Sequence, residues 1–213
     1  MEPATYPTAV AALQQAIESG HESAIRQAVS QCLLSGEVIA YPVLAGGVYL
    51  TAGHYFLQTK QYVQARTLYQ QGQHVFCEAL AANVPGAEWL RVQAMLCEAQ
   101  TYDRAGKRPQ ALLVWQQTHQ YASTLPDPSP LAVEVAIRLA EAYLRDGQRR
   151  QASIRFEEAM TLAAELPRPL CPVPLLAVLD KKYLPLLDTT PDRRRFQERM
   201  QALLAMSPTH PSA

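Results

Sequence analysis

The strongest constraint on this chain is that it repeats itself. The run GVYLTAGHYFLQTKQYVQARTLYQQG places Gly53, Phe56, Ala65, Tyr69 and Gly72 at fixed offsets. VQAMLCEAQTYDRAGKRPQALLVWQQT puts Ala99, Tyr102, Ala111, Trp115 and Thr118 at the same offsets. VEVAIRLAEAYLRDGQRRQASIRFEEAM does so with Ala140, Tyr143, Ala152, Phe156 and Ala159. Two antiparallel helices approach closely only where a small side chain from each sits at the crossing, and the aromatics fill the wedge beside it. Self-similarity on this scale means stacked copies of one helical unit, each leaning on its neighbours for its core.

Composition agrees with helices. Of 213 residues, 32 are Ala and 20 are Gln, good helix formers, and Val and Ile are sparse, which argues against an extensive β-sheet. Breakers cut the chain into helix-length pieces. Helices are expected over 5–18, 21–34, Pro42 to about 58, 61–82, 87–104 and 108–124. Ser129 should cap a helix opening at Pro130 and ending near Asp146-Gly147, with a partner over 149–166. Residues 167–191 carry six prolines around the apolar stretch LLAVLDKKYL, and Thr190-Pro191 opens a last helix. Its Phe196, Met200, Leu203 and Leu204 fall at helical spacing on one face. The domain plan is therefore an array over 1–166 with repeats at about 5–38, 46–82, 92–124 and 133–166. A Pro-rich connection and capping helices follow over 167–206, then a disordered tail over 207–213.

The small–aromatic pair, the turn glycines Gly106 and Gly147 and the second small–aromatic–small set together resemble the tetratricopeptide repeat (TPR). Lys60 stands where the first clear repeat should have its turn glycine, and the family's helix-end proline is absent. A degenerate N-terminal unit supplies Ala12, Gly20, Ala24 and Ala28. The second-helix alanines Ala24, Ala65, Ala111 and Ala152 are spaced by 41, 46 and 41 residues. The standard unit has about 34, so the array is similar to the long type of about 42 residues found in kinesin light chains. The resemblance implies an all-α, right-handed superhelix of antiparallel hairpins, whose first helices line a concave groove. By that resemblance the groove is made by Leu50, His54, Leu57 and Gln58 beside Gly47, then Gln93, Leu96, Gln100, Asp103 and Arg104. The third repeat adds Glu134, Ile137, Glu141, Leu144 and Arg145. The wall reads as an apolar floor with amide and charged groups, suited to an extended or helical segment of another protein.

Chemistry finds little support. The five histidines make no HExxH and no metal-ligand spacing with Cys, so neither a metal nor a cofactor is expected. Gly46, Gly47 and Gly53 lack the lysine–serine of a phosphate loop, and close helix packing explains Gly53 better. Glu157 and Glu158 have no obvious acid–base partner and read as a solvated face. Arg193-Arg194-Arg195 is basic enough for a phosphate or acidic partner but reads first as an exposed helix face. TPR domains that clamp an acidic C-terminus use Lys, Asn and Arg on the wall. His54, Gln100 and Glu141 stand there instead, with Glu134 and Asp103 nearby, which argues against such a clamp.

A formal net charge of zero removes the footprint of a nucleic-acid binder. Val38–Thr59 has the length of a membrane span, yet Pro42, three glycines and several polar groups favour a buried helix. The start does not read as a secretory signal, and the scattered Cys32, Cys77, Cys97 and Cys171 suit a reducing cytoplasm. The expectation is a non-catalytic adaptor or chaperone that holds another protein. A signalling regulator that senses a peptide or binds a transcription factor is the alternative. Self-association through Trp89, the tail or the convex face is left open.

Overall fold

The computed structural model of the chain describes residues 6–34, 42–126, 129–167, 170, 173–187 and 189–206. These hold ten α-helices and no strand. They are α1 Tyr6–Ser19, α2 Glu22–Leu34, α3 Pro42–Gln58, α4 Tyr62–Ala81 and α5 Ala87–Arg104, then α6 Arg108–Ala122, α7 Pro130–Arg145, α8 Arg149–Glu165, α9 Val173–Tyr183 and α10 Thr190–Met206. A short 3₁₀ turn, Leu184–Leu186, follows α9. Each expected helix is present, with ends moved by a residue or two at most positions. Residues 207–213, expected as a tail, lie outside the described residues, as does Cys171. Cys32, Cys77 and Cys97 form no disulfide among the described residues.

One local device closes the hairpins of the three clear repeats. Lys60, Gly106 and Gly147 sit in the left-handed region, with φ of 61°, 73° and 78°. At each, the following amide (Gln61, Lys107 or Gln148) donates back to the carbonyl of Phe56, Tyr102 or Tyr143 at 2.8–2.9 Å. These are Schellman closures, which satisfy carbonyls that the helix end would otherwise leave orphaned. The carbonyls of Gln61, Lys107 and Gln148 then accept the first bond of the next helix, from the amides of Ala65, Ala111 and Ala152. Lys60 pays the steric cost that glycine avoids at the two other turns. Asn83 (φ 54°) ends α4 in the same conformation. As its sequence indicates, α7 opens with the Ser129 hydroxyl accepting from the Leu131 amide at 3.2 Å.

The chain forms two compact units, Met1–Val114 and Trp115–Ala213. In the first, α1 pairs with α2 and α3 with α4, while α2 leans on α3, α4 on α5, and α1 and α5 each touch α3. Its tightest contact is the α3–α4 crossing. A Cβ on Gly53 would lie 2.5 Å from the Tyr69 ring, and one on Gly46 2.2 Å from the ring of Phe76. Both aromatics are fully buried, each such side chain contributing about 1.5–3 kcal/mol by leaving water. Gly53 is thus a packing residue, as its place in the repeat implies. Tyr55 ties α3 to the turn between α1 and α2, its hydroxyl donating to the Gly20 carbonyl at 2.9 Å.

In the second unit α7 pairs with α8, and α9 lies against both, with α10 against α9. The last two helices, α9 and α10, expected with the connection as a region of their own over 167–206, pack within this unit. Leu176, Leu179 and Tyr183 of α9 and Phe196, Met200 and Leu203 of α10 share one core with Val133, Ile137, Ala140 and Phe156. Leu204, read from the sequence as part of that face, is exposed instead. It lies one residue beyond Leu203, a step of about 100° around the helix.

Candidate functional site

The first helix of each clear repeat is buried nearly all round, because its own partner and the adjoining helices each cover a face. In α5 the interior run is Val92, Ala94 to Ala99 and Thr101. What stays open is a narrow stripe. On α3 it comprises the half-buried Gly47 and His54 and the exposed Thr51 and Gln58. On α5 it comprises Gln93, Gln100 and Asp103, all half-buried, and the exposed Arg104. Their spacing of about one or two helical turns puts each set on one side of its helix.

The residues expected to form an apolar floor do not reach that stripe. Leu50, Leu57, Leu96 and Ile137 are 7, 4, 5 and 0% exposed, so the floor is consumed by packing between helices. His54 also has partners within the chain. Its Nδ1 lies 3.1 Å from the Tyr69 hydroxyl and its Nε2 3.9 Å from Cys97 Sγ. The two rings meet edge to face, with centroids 5.7 Å apart. Burial, with the nearby positive charge of Arg104, holds the imidazole pKa below its ordinary value, so the ring is neutral at neutral pH. Burial also pushes the Tyr69 phenol up, with Cys97 adding to the effect. The cluster fastens α3, α4 and α5 to one another.

By contrast, Gln58, Gln93 and Gln100 make no side-chain hydrogen bond within the described residues. A carboxamide carries two donors and an acceptor with two lone pairs, so each of these can engage a peptide backbone in either sense. On the side of α5 that faces α4 lies Glu98, buried and held through both oxygens by Gln70 and Gln73 at 2.6 and 2.7 Å.

In the second unit the expected wall is further altered. Glu141 is 6% exposed and ion-paired with Lys182 of α9, and Arg138 reaches it at 3.1 Å and Glu134 at 3.5 Å. Burial opposes its ionisation, but hydrogen bonds from Lys182 and Arg138 prevail and hold the carboxyl below its ordinary pKa. Leu144 is half-buried and Arg145 exposed. Here α9 takes up side chains that the repeat pattern assigns to a partner.

The acidic pair of α8 is not a free solvated face either. Glu158 lies 2.9 Å from His119 Nε2 and 2.5 Å from Arg155. Burial opposes its charge, and these two neighbours more than compensate. Glu157 accepts from the Tyr183 hydroxyl at 3.1 Å and pairs with Arg199. That arrangement borders a cleft of about 310 Å³ between α8, the end of α9 and α10, lined by Leu187, Asp192, Arg195 and Phe196 as well. Sequence reasoning missed the cleft; only the odd run of three arginines hinted at it. Among the described residues no group of three or more His, Cys, Asp or Glu could hold a metal ion, and no helix is long and apolar enough to cross a membrane.

No protein-family model matches the sequence, and no curated protein matches it. Solved structures do. A kinesin-light-chain-type protein of Podosopora anserina, built of nearly identical TPR-like repeats, superposes with a TM-score of 0.61 at 18% identity, over 100% of both chains. The chain has the fold of TPR-like repeat proteins. BtubC (BKLC) from P. vanneervenii matches with a TM-score of 0.64 at 14% identity, over 98% of this chain and 93% of that one.

Proposed function

We propose that the chain is a non-catalytic scaffold, an adaptor or chaperone of the cytoplasm, that holds an extended segment of another protein along the open stripes of its first-position helices. One observation carries this reading: the unsatisfied amides of Gln58, Gln93 and Gln100 share the open side of α3 and α5 with Asp103 and Arg104. An extended backbone offers a donor and an acceptor at each residue, and amides with no partner in the chain can read it without demanding one side-chain sequence. The acidic groups that might have done chemistry are tied up in ion pairs, which supports the non-catalytic part. Because the exposed stripe is polar rather than apolar, a regulator that senses a short polar peptide is the second reading. The burial of Leu50, Leu57 and Leu96 favours it over a broad hydrophobic interface.

The test alters Gln58, Gln93 and Gln100 together to Ala. All three are at least partly exposed, so the melting temperature should hold. Partners identified by affinity capture and mass spectrometry should then be titrated, purified, against the wild type and the triple variant. Loss of binding in the variant is the expected result, and equal binding would end the stripe assignment. A partner protein of some length identifies a scaffold, and a short processed peptide identifies a sensor.

A further inference from the structure

A net charge of zero conceals an uneven placement of charge in the first unit. The α3–α4 and α5–α6 turns stand at the same end of it. Arg66 of α4 lies over the Tyr102 ring near the end of α5, 5.2 Å from its centroid, and the positive charge of Arg104 reaches His54 of α3 and Tyr69 of α4. Five of the seven basic residues of Met1–Val114 belong to these turns: Lys60, Arg66, Arg104, Lys107 and Arg108. None of the five has an ion pair among the described residues, and all but Arg66 are exposed. The acidic side chains described at that end are Glu18, Glu22 and the half-buried Asp103, and Glu22 is held by Arg26 at 2.6 Å. With that pair set aside, five positive charges stand against two negative ones. The turn of the third clear repeat, in the other unit, has the same character: Arg145, Arg149 and Arg150 are exposed around Asp146, which accepts from Gln148.

We infer that this end of the first unit docks an extended acidic stretch of another polypeptide, its carboxylates pairing with Lys60, Arg104, Lys107 and Arg108 across the two adjacent turns. Neighbouring helices lie about 8–10 Å apart, and alternate side chains of an extended chain about 7 Å, so one short stretch reaches both turns. Guanidinium and ammonium groups both take carboxylates, and exposed pairs act through summed charge rather than through any single contact. A polypeptide fits better than the other polyanions. Tyr62 and Tyr102, the aromatic residues of these turns, are half-buried, the latter beneath Arg66, so unpaired bases would find no open ring to stack on and a bilayer no aromatic anchor. The patch begins where the stripe on α3 and α5 ends and shares Arg104 with it, but it does not use the glutamines and does not depend on the stripe reading.

Titration of the full chain with a fluorescein-labelled ten-residue polyglutamate peptide, followed by anisotropy at low ionic strength, tests this. Saturable binding is expected, and it should vanish at about 0.5 M salt, where the screening length falls to a few ångströms. The triple variant Arg104→Gln, Lys107→Gln, Arg108→Gln should weaken it about tenfold, the combined loss of three exposed pairs. Lys181→Gln, Arg194→Gln, Arg195→Gln removes an equal charge from exposed positions of α9 and α10 and should leave it unchanged. Both variants alter exposed side chains, so their melting temperatures should stay at the wild-type value. The Gln58, Gln93 and Gln100 alanine variant should bind polyglutamate like the wild type, which separates failure of this patch from failure of the stripe. Absence of saturable binding, equal weakening by the two triple variants, or tighter binding of ten-residue oligothymidylate or of phosphatidylserine vesicles than of the peptide would overturn the inference.

Discussion

The α3–α4 and α7–α8 hairpins are built on the same offsets but solve the crossing differently. In the first, Gly53 leaves no side chain at all, and the Tyr69 ring occupies the space a methyl would take. In the second, Ala140 keeps its methyl, fully buried, against a core that contains Phe156. The closer approach brings a phenol into the interior, and that phenol finds His54. Phe156 has no hydroxyl to satisfy and stacks instead on Tyr183 of α9, with centroids 5.6 Å apart. A one-carbon difference thus separates a hairpin with a polar bond inside it from one sealed by an additional helix.

Exchanging the two solutions should harm both. Gly53→Ala gains helix propensity but drives a methyl into a ring that cannot retreat, for a net loss of about 2 kcal/mol in urea unfolding. Ala140→Gly removes a buried methyl and loosens the helix, costing about 1 kcal/mol by the same measurement. If Gly53→Ala were neutral, the crossing would be looser than described. The turns give a comparison of opposite sign. Lys60→Gly relieves a left-handed backbone and should stabilise by about 1 kcal/mol, while Gly147→Lys should destabilise by a similar amount. Thermal melts of the two variants check both directions.

The smallest expected effect is on pH. The folded pKa of His54 lies below its ordinary 6.5, so the unfolded chain takes up the proton first as the solution is acidified. This contribution to stability is fully present above 6.5 and is lost as pH falls toward the folded value. The decline in unfolding free energy from neutral to mildly acidic pH should be shallower in His54→Gln. An unchanged slope would show that the imidazole is no more desolvated in the native state than in the unfolded one.

Helix positions were legible because their signals are local: Pro42 and Pro130 at starts, Ser129 at a cap, Gly106 and Gly147 at turns. The crossing was legible too, since Gly53 and Tyr69 stand at recurring offsets. The wall was only half legible. Offsets tell which side of α3 faces inward, but not that the helices around it bury Leu50 and Leu57. Glu141 illustrates the same limit, because its partner Lys182 lies on a helix outside the repeat pattern. The C-terminal cleft was not legible at all. It takes Glu157, Tyr183 and Arg199 from three separate helices, and no spacing within any one of them announces the meeting.

The Schellman turns carry a consequence for how the molecule is made. Every bond that closes them joins residues at most five apart, and the helices they join are neighbours along the chain. A topology of such short-range pairings searches little conformational space before it is rewarded, which is the condition for rapid folding. Each hairpin can therefore zip as soon as its second half leaves the ribosome, without waiting for the far end to be synthesised.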